Sequence, residues 1–280
     1  MDERVVTYIH RGKFLVDGWL RTEAALTVAN LATEQRRLGV AGGTAEIGVH
    51  HGKLFILLYL LSNPPEKAVA IDLFEDQHLN IDSSGKGDLA LFHANLERHA
   101  DSSRLVLHKG DSTRLTGAVL RQLAEGPLRL ISIDGGHTEE ITASDLAVAD
   151  AALSEGGIVV VDDVFNETWP GVADGVHRYS RDQPRLVPFA ICANKTFFCR
   201  PSHADGYRAA AIAGAMGHVM PSFLGHPVAV LHYLRPRLKD RVSQSAVWQG
   251  ARATPPGRAL RTMWNAGRRA HRLMARREDF

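Results

Sequence analysis

The sequence predicts an α/β protein built on a doubly wound, mostly parallel sheet. Short apolar runs rich in β-branched residues alternate with helix-patterned segments at intervals of roughly 25–30 residues. Acidic residues, among them Asp72, Asp134 and Asp162, end three of these apolar runs. In open parallel sheets the carboxyl ends of the strands form the ligand-binding edge, so this pattern predicts both the fold and the position of its site.

Helices and strands alternate along most of the chain. In order, we predict helix 22–37 with Thr22 near its start, strand 44–49, helix 53–61, strand 68–73, helix 88–98, strand 105–108, helix 116–122, strand 128–133, helix 138–153 and strand 158–161. A short helix follows the turn at residues 169–171. The runs 186–191 and 196–199 predict a hairpin that closes the sheet with an antiparallel strand. Residues 203–234 are rich in alanine and predict a helical C-terminal extension.

Composition is typical of a globular protein and favours a cytoplasmic one. Of 280 residues, 45% are hydrophobic and 23% charged. No secretory signal is recognisable, and no apolar run approaches the roughly 18–20 residues of a membrane span. Cys192 and Cys199 lack the spacing of a metal-thiolate site and are expected to be reduced core thiols, although they could also face each other across the hairpin.

Charge is distributed unevenly between the body and the tail. From Arg235 onward twelve Lys or Arg residues stand against three acidic ones, a net charge of +9 that leaves −7 for residues 1–234. A helix predicted from about Gly257 combines an apolar stripe with basic flanks. Such a helix can pack on its own domain or a dimer partner, stay unfolded, lie on an anionic membrane, or bind another anionic partner. Nucleic acid is not favoured, because few aromatic residues are interleaved with the basic ones.

Three carboxylates and a histidine are predicted to meet at two adjacent strand ends. Asp134 and His137 follow one buried run, and the pair Asp162–Asp163 follows the next, across a predicted crossover helix. Clustered carboxylates repel one another unless a cation lies between them, so Asp134, Asp162 and Asp163 are candidate ligands of a metal. Hard oxygen ligands favour Mg²⁺ over zinc. Alternatively, the Asp pair caps a helix, and His137 is a structural hydrogen-bonding residue.

The first half of the sheet carries a second candidate site. Glu46 precedes the glycine turn Gly48-x-x-x-Gly52, where a ligand can approach the backbone at a helix start. The spacing differs from the Gly-x-Gly-x-x-Gly of dinucleotide binding. Asp72 is placed to accept ribose hydroxyls, and Asp111, with Ser112 beside it, to accept an adenine amino group. Glycines alone could equally serve helix–strand packing.

Taken together, these motifs resemble those of class I S-adenosylmethionine (SAM)-dependent methyltransferases. The segments 131–137, 156–163 and 170–172 are more specifically similar to the macrocin- and mycinamicin-type sugar O-methyltransferases, over roughly residues 40–200. The resemblance implies a Rossmann-like sheet, Mg²⁺ held by Asp134, Asp162 and Asp163, and His137 as catalytic base. It implies these cofactor contacts: Glu46, Gly48, Gly52, Asp72, Asp111, Ser112 and Asp134. The macrolide enzymes tend to carry Glu-Asp where this chain has Asp162-Asp163.

The expected protein is therefore a Mg²⁺-dependent O-methyltransferase. Its expected parts are a helical cap (1–40), a SAM-binding catalytic domain (41–202) and a basic C-terminal extension (203–280), with a homo-oligomeric assembly. The acceptor is a small-molecule or glycoside hydroxyl, with a sugar hydroxyl preferred over a catechol-like phenol, and the polar 75–88 loop is expected to overhang the acceptor or a neighbouring subunit. Two alternatives remain, a non-catalytic SAM-binding partner protein and a nucleotide-dependent oxidoreductase.

Overall fold

A nine-stranded sheet forms the centre of the computed structural model, which describes residues 2–183 and 185–233. The helices are α1 Glu3–His10, α2 Thr22–Arg37, α3 Phe55–Leu61, α4 Leu89–His99, α5 Gly117–Leu123, α6 Glu139–Ala152, α7 Pro170–Asp182 and α8 Pro201–Ala213. The strands are β1 Gly43–Ile47, β2 Ala68–Asp72, β3 Leu105–Lys109, β4 Leu128–Ile133, β5 Leu153–Asp162, β6 Val187–Cys192, β7 Lys195–Cys199, β8 Gly217–Val219, β9 Ser222–Phe223, β10 His226–Pro227 and β11 Ala229–His232.

The strand order confirms the predicted doubly wound sheet. It runs β3-β2-β1-β4-β5-β7-β6-β11-β8, with β1 to β5 parallel and β7 antiparallel to both β5 and β6. The chain winds outward from β1 to β3 and then returns to place β4 on the other side of β1. This reversal opens a crevice at the carboxyl ends of β1 and β4, the position at which such folds bind ligands.

The predicted helix over 203–234 is wrong in its second half. Helix α8 ends at Ala213, and four short strands follow. Strand β11 joins the main sheet beside β6, and β9 pairs with β10 in a separate hairpin. Gly214, Pro221 and Gly225 interrupt the alanine-rich stretch, because glycine and proline end helices and favour turns. The predicted basic helix from about Gly257 lies outside the described residues.

Helices cover both faces of the sheet and bury it. One core includes residues of α1, α2, α3 and α8, and the other includes residues of α5, α6 and α7. Cys192 and Cys199 are both free and buried, and burial raises the pKa of the first thiol to about 11 and of the second to about 12. Within 2–183 and 185–233, no helix combines the length and apolar character that crossing a membrane requires.

Candidate active site

A cavity of about 630 Å³ lies at the carboxyl ends of the central parallel strands. This volume is in the range of sites for cofactors and small ligands. Residues from the ends of β1, β2, β4 and β5 line it, together with the loop after β3. Five of the predicted cofactor residues are on its wall: Gly48, Asp72, Asp111, Ser112 and Asp134. The fold thus brings the two halves of the predicted site into one cavity.

Gly48 lets the ends of β1 and β4 touch. Its φ is +85°, and a Cβ there would lie 1.8 Å from the carbonyl oxygen of Asp134. The Asp134 amide donates to the carbonyl of Ile47 at 2.8 Å, which holds the two strand ends together. Glycine is required here both by the left-handed backbone and by this close approach. The result is an open stretch of backbone at the cavity wall.

Asp72 is held in a fixed orientation at the end of β2. One carboxylate oxygen accepts from the backbone amide of His50 at 2.7 Å, and the other accepts from that of Phe74 at 2.6 Å. Each oxygen keeps a further lone pair, so the side chain can still accept the two hydroxyls of a ribose. Gly87 leaves the space beside it, since a Cβ there would lie 2.8 Å from Asp72 Oδ1.

The loop after β3 supplies Asp111 and Ser112. The side chain of Asp111 accepts from the amide and hydroxyl of Thr113, at 2.9 and 2.7 Å, which fixes the turn. Below this loop lies Asp145 of α6, fully buried, with neither oxygen hydrogen-bonded to any of the described residues. Burial raises the pKa of Asp145 to about 7, although Ser112 acts to lower it.

Glu46 and Gly52, the other two predicted cofactor contacts, are not on the cavity wall. Glu46 is 2% exposed, and burial raises its pKa well above the ordinary value, although the Lys195 ammonium acts to lower it. Gly52 has a φ of +89°, and a Cβ there would lie 2.7 Å from the ring of Phe92. The structure therefore gives Gly52 a packing role, which the sequence pattern does not distinguish from a cofactor role.

His137, the predicted base, is anchored by a residue that the sequence analysis missed. Both its backbone amide and its ring Nδ1 lie within hydrogen-bonding distance of Asp82 Oδ2, at 2.6 and 2.9 Å. With the carboxylate on Nδ1, that nitrogen carries the proton and Nε2 is left free to accept one. The imidazole also stacks on Trp169, with ring centroids 4.3 Å apart and planes inclined by 21°.

Asp82 belongs to the 75–88 loop, which folds back onto the site of its own chain. Its other oxygen accepts from the amide of Ser84 at 2.9 Å. Burial acts to raise the pKa of Asp82, but hydrogen bonds from Ser84 and His137 outweigh it and lower the pKa to about 2. The carboxylate is therefore ionised at neutral pH. The sequence offered only the polar character of this loop, because the pairing spans 55 positions.

The three predicted metal ligands line the same cavity, and two of them already have partners. Asp162 Oδ2 is 2.7 Å from the ammonium of Lys195, a buried residue at the start of β7. Asp163 Oδ1 accepts from the side-chain amide of Asn194 at 3.2 Å. Burial, together with the neighbouring Asp162 carboxylate, raises the pKa of Asp134 well above its ordinary value.

These residues do not fit the predicted Mg²⁺. Magnesium requires oxygen ligands in near-octahedral geometry at about 2.0–2.1 Å. An ion bound to Asp162 at that distance would lie within about 5 Å of the Lys195 ammonium, so two cations would repel each other in a buried site. Across 2–183 and 185–233 there is no group of three or more His, Cys, Asp or Glu residues arranged to hold a metal ion.

Apolar side chains line the mouth of the cavity. Trp19 from the N-terminal segment is 75% exposed, and Ile81 from the 75–88 loop is 69% exposed. Trp169, which stacks on His137, lines the same cavity. Large exposed apolar side chains grouped at a cavity mouth are typical of a binding surface for an organic molecule.

Comparison with known proteins agrees with this geometry. Residues 45–164 match the family model described as "Methyltransferase domain". A search of curated proteins gave no match. Among solved structures, the O-methyltransferase NovP is similar with a TM-score of 0.51 and 17% identity, over 62% of this chain and 77% of NovP. The SAH-bound methyltransferase PaMTH1 of Podospora anserina gives 0.50 and 15%, over 71% of this chain and 88% of that one.

At these identities the two structures show the fold alone, and the family model matches its central part. Strands β1 to β5, the glycine turn at Gly48 and the acidic residues at the ends of β2 and β4 lie within or beside the matched segment. The resemblance predicted from the sequence is confirmed: residues 45–164 match a methyltransferase-domain model, and the fold is similar to that of solved O-methyltransferases.

Proposed function

We propose that this chain transfers the methyl group of SAM to a hydroxyl oxygen of a small molecule or glycoside, with a sugar hydroxyl as the preferred acceptor. The observation that carries the proposal is the pairing of His137 with Asp82 on the wall of a cavity that also presents Asp72 and Asp111. Such a pair is suited to remove a proton from an acceptor, and the two aspartates are suited to hold a nucleoside. The same cavity would thus hold both the methyl donor and the acceptor hydroxyl.

The residues at the cavity divide the work between positioning and proton transfer. When bound, SAM supplies an electrophilic methyl group on its sulfonium. Asp72 and Asp111 would accept hydrogen bonds from the ribose and the adenine, with the open backbone at Gly48 beside them. His137 would take the hydroxyl proton on Nε2 while Asp82 holds Nδ1–H and stabilises the imidazolium that forms. Placing acceptor and donor in line supplies much of the remaining acceleration.

The apolar mouth supports a sugar carried on an apolar or aromatic group. A sugar ring can lie against the faces of Trp169 and Trp19, while its hydroxyl reaches His137. A catechol-like phenol, the other predicted acceptor, is less well supported, because its two oxygens are best held by chelation to a metal. Mg²⁺ is left out of this proposal, since Lys195 contacts Asp162. The homo-oligomer and the cytoplasmic location stay predictions.

Calorimetric titration with S-adenosylhomocysteine (SAH), beside a titration with NADH, tests the cofactor. We expect SAH to bind in the micromolar range and NADH not to bind. NADH binding without SAH binding would favour the oxidoreductase alternative and contradict the proposal.

A labelled methyl donor then screens glycosides and phenols as acceptors. His137→Ala is expected to lower turnover about 10²- to 10⁴-fold with SAH affinity retained, the usual effect of removing a general base. His203→Ala, on α8 away from the cavity, is the matched control. If SAH binds and no acceptor in a broad hydroxyl panel is methylated, the non-catalytic alternative is favoured.

A further inference from the structure

The antiparallel hairpin of β6 and β7 places Lys195 beside the acidic residues at the strand ends. Strand β7 pairs with β5 so that Lys195 stands directly opposite Asp162, and directly opposite residues of paired strands project to the same face. The ammonium is 2.7 Å from Asp162 Oδ2, and both side chains are less than 5% exposed. Burying an ion pair costs free energy unless the two charges are well aligned. The position of Lys195 is therefore set by the fold and is not a chance contact at the surface.

Three carboxyl groups surround this one ammonium. Asp162 contacts it directly, and Asp134 and Glu46, at the ends of the neighbouring strands β4 and β1, interact with the same charge. The ammonium is therefore the positive charge shared by the acidic ends of β1, β4 and β5.

Asn194, in the turn of the hairpin, also hydrogen-bonds to Asp163, the second carboxylate of the pair. Asp163 has a φ of +57°, and its amide donates both to the carbonyl of Asn194 at 2.9 Å and to Asp162 Oδ1 at 3.1 Å. The Asn194 side chain donates back to Asp163 at 3.2 Å. Asp162 thus has Lys195 on one oxygen and an amide on the other, so a metal at either oxygen would have to approach beside a group that already donates to it.

We propose that Lys195 is a built-in cation that replaces the divalent metal expected among Asp134, Asp162 and Asp163, so that methyl transfer by this chain is metal-independent. The inference about activity rests on the proposed function. The inference about metal binding does not, because it follows from the contacts of Lys195 and Asn194 alone. In this arrangement the acceptor oxygen is activated by His137 and Asp82, and Lys195 offsets the charge of Asp162.

Binding of Mn²⁺, followed by the loss of its free-ion EPR signal, tests the metal inference without any activity measurement. The chelator-treated wild-type chain is expected to show no saturable binding at millimolar metal, with or without SAH. Lys195→Met keeps the length of the side chain and removes its charge, so it should gain one Mn²⁺ site and should melt at a higher temperature when Mg²⁺ is added. Lys67→Met, which removes a partly exposed lysine paired with Glu125, is the control and should gain neither.

Specific outcomes would overturn the inference. Stoichiometric Mn²⁺ binding by the wild type that Asp134→Asn abolishes would show a metal site, and so would methyl transfer that EDTA stops and Mg²⁺ restores. If Lys195→Met does not fold, the neutral pair Lys195→Met/Asp162→Asn should fold and bind no metal, and the wild-type titration decides by itself. SAH titration is recorded in parallel, so failure to bind SAH counts against the proposed function while the metal result stands.

Discussion

Replacing Asp145 by asparagine removes a charge that the fold does not accommodate. Asp145 is fully buried beneath the loop of Asp111 and Ser112, and its two oxygens have no hydrogen-bond partner among the described residues. Burial raises its pKa from 3.8 to about 7. The folded chain therefore holds a proton on Asp145 that the unfolded chain releases at much lower pH.

The size and the sign of the effect follow from this shift. A shift of about three pKa units corresponds to roughly 4 kcal/mol, at about 1.4 kcal/mol per unit. Because the folded-state pKa is raised, stability is fully present below about pH 3.8, declines as pH rises toward 7 and stays low above it. Asp145→Asn keeps the shape without the charge, so its stability relative to the wild type should rise by up to roughly 4 kcal/mol between pH 4 and pH 8.

Denaturant unfolding of both proteins at several pH values between 5 and 8 measures this difference. Taking the difference between variant and wild type cancels other titrating groups, including Asp134 and Glu46, provided they respond alike in both proteins. Asp205→Asn, which changes an exposed carboxylate, should show no such trend. A difference between variant and wild type that stays constant from pH 5 to pH 8, or an Asp145→Asn protein less stable than the wild type at pH 8, would refute the reasoning.

Two further changes test the site itself. Asp82→Asn should lower turnover about 10²- to 10⁴-fold while SAH affinity changes little, because an amide can donate to His137 Nδ1 and leave the proton on Nε2. Ser84→Ala, which keeps the amide contact to Asp82, should lower turnover far less. Equal losses of turnover in the two variants would contradict an orienting role for Asp82. Gly48→Ala should abolish SAH binding or folding, since its Cβ would lie 1.8 Å from the Asp134 carbonyl; SAH affinity equal to wild type would show that β1 and β4 separate easily.

Most of the fold could be predicted from the sequence because its strands are buried on both faces and its helices are regularly spaced. Helix α2 begins and ends where predicted, and strand β4 matches the predicted run 128–133. The end of α8 was missed because alanine content was given more weight than the glycines and prolines beyond Ala213. Strand β11 gains its place by pairing with β6, and no local pattern in the sequence reports that pairing.

In the candidate site, too, residues at strand ends could be predicted and residues placed by long-range contacts could not. Gly48, Asp72, Asp111 and Asp134 directly follow or end strands, so topology alone brings them to one cavity. Asp82 and Lys195 act through partners that are 55 and 33 positions away along the chain. The predicted hairpin already placed residues 196–199 in the sheet, and extending its register by one residue would have set a lysine opposite Asp162. The sequence analysis grouped the acidic residues and did not identify Lys195 as a cation in contact with Asp162.

The contact between Asp82 and His137 makes the orientation of the imidazole depend on the position of a loop. Asn80, Ile81 and Ser84 of the 75–88 loop border the cavity, and the same loop carries the carboxylate that orients the imidazole. Under the proposed function, a displacement of this loop that withdrew Asp82 would leave His137 without the carboxylate that orients it. Seating the loop over a complete set of reactants would restore it. Such coupling would protect bound donor from attack by stray water and make loop closure a checkpoint in each turnover.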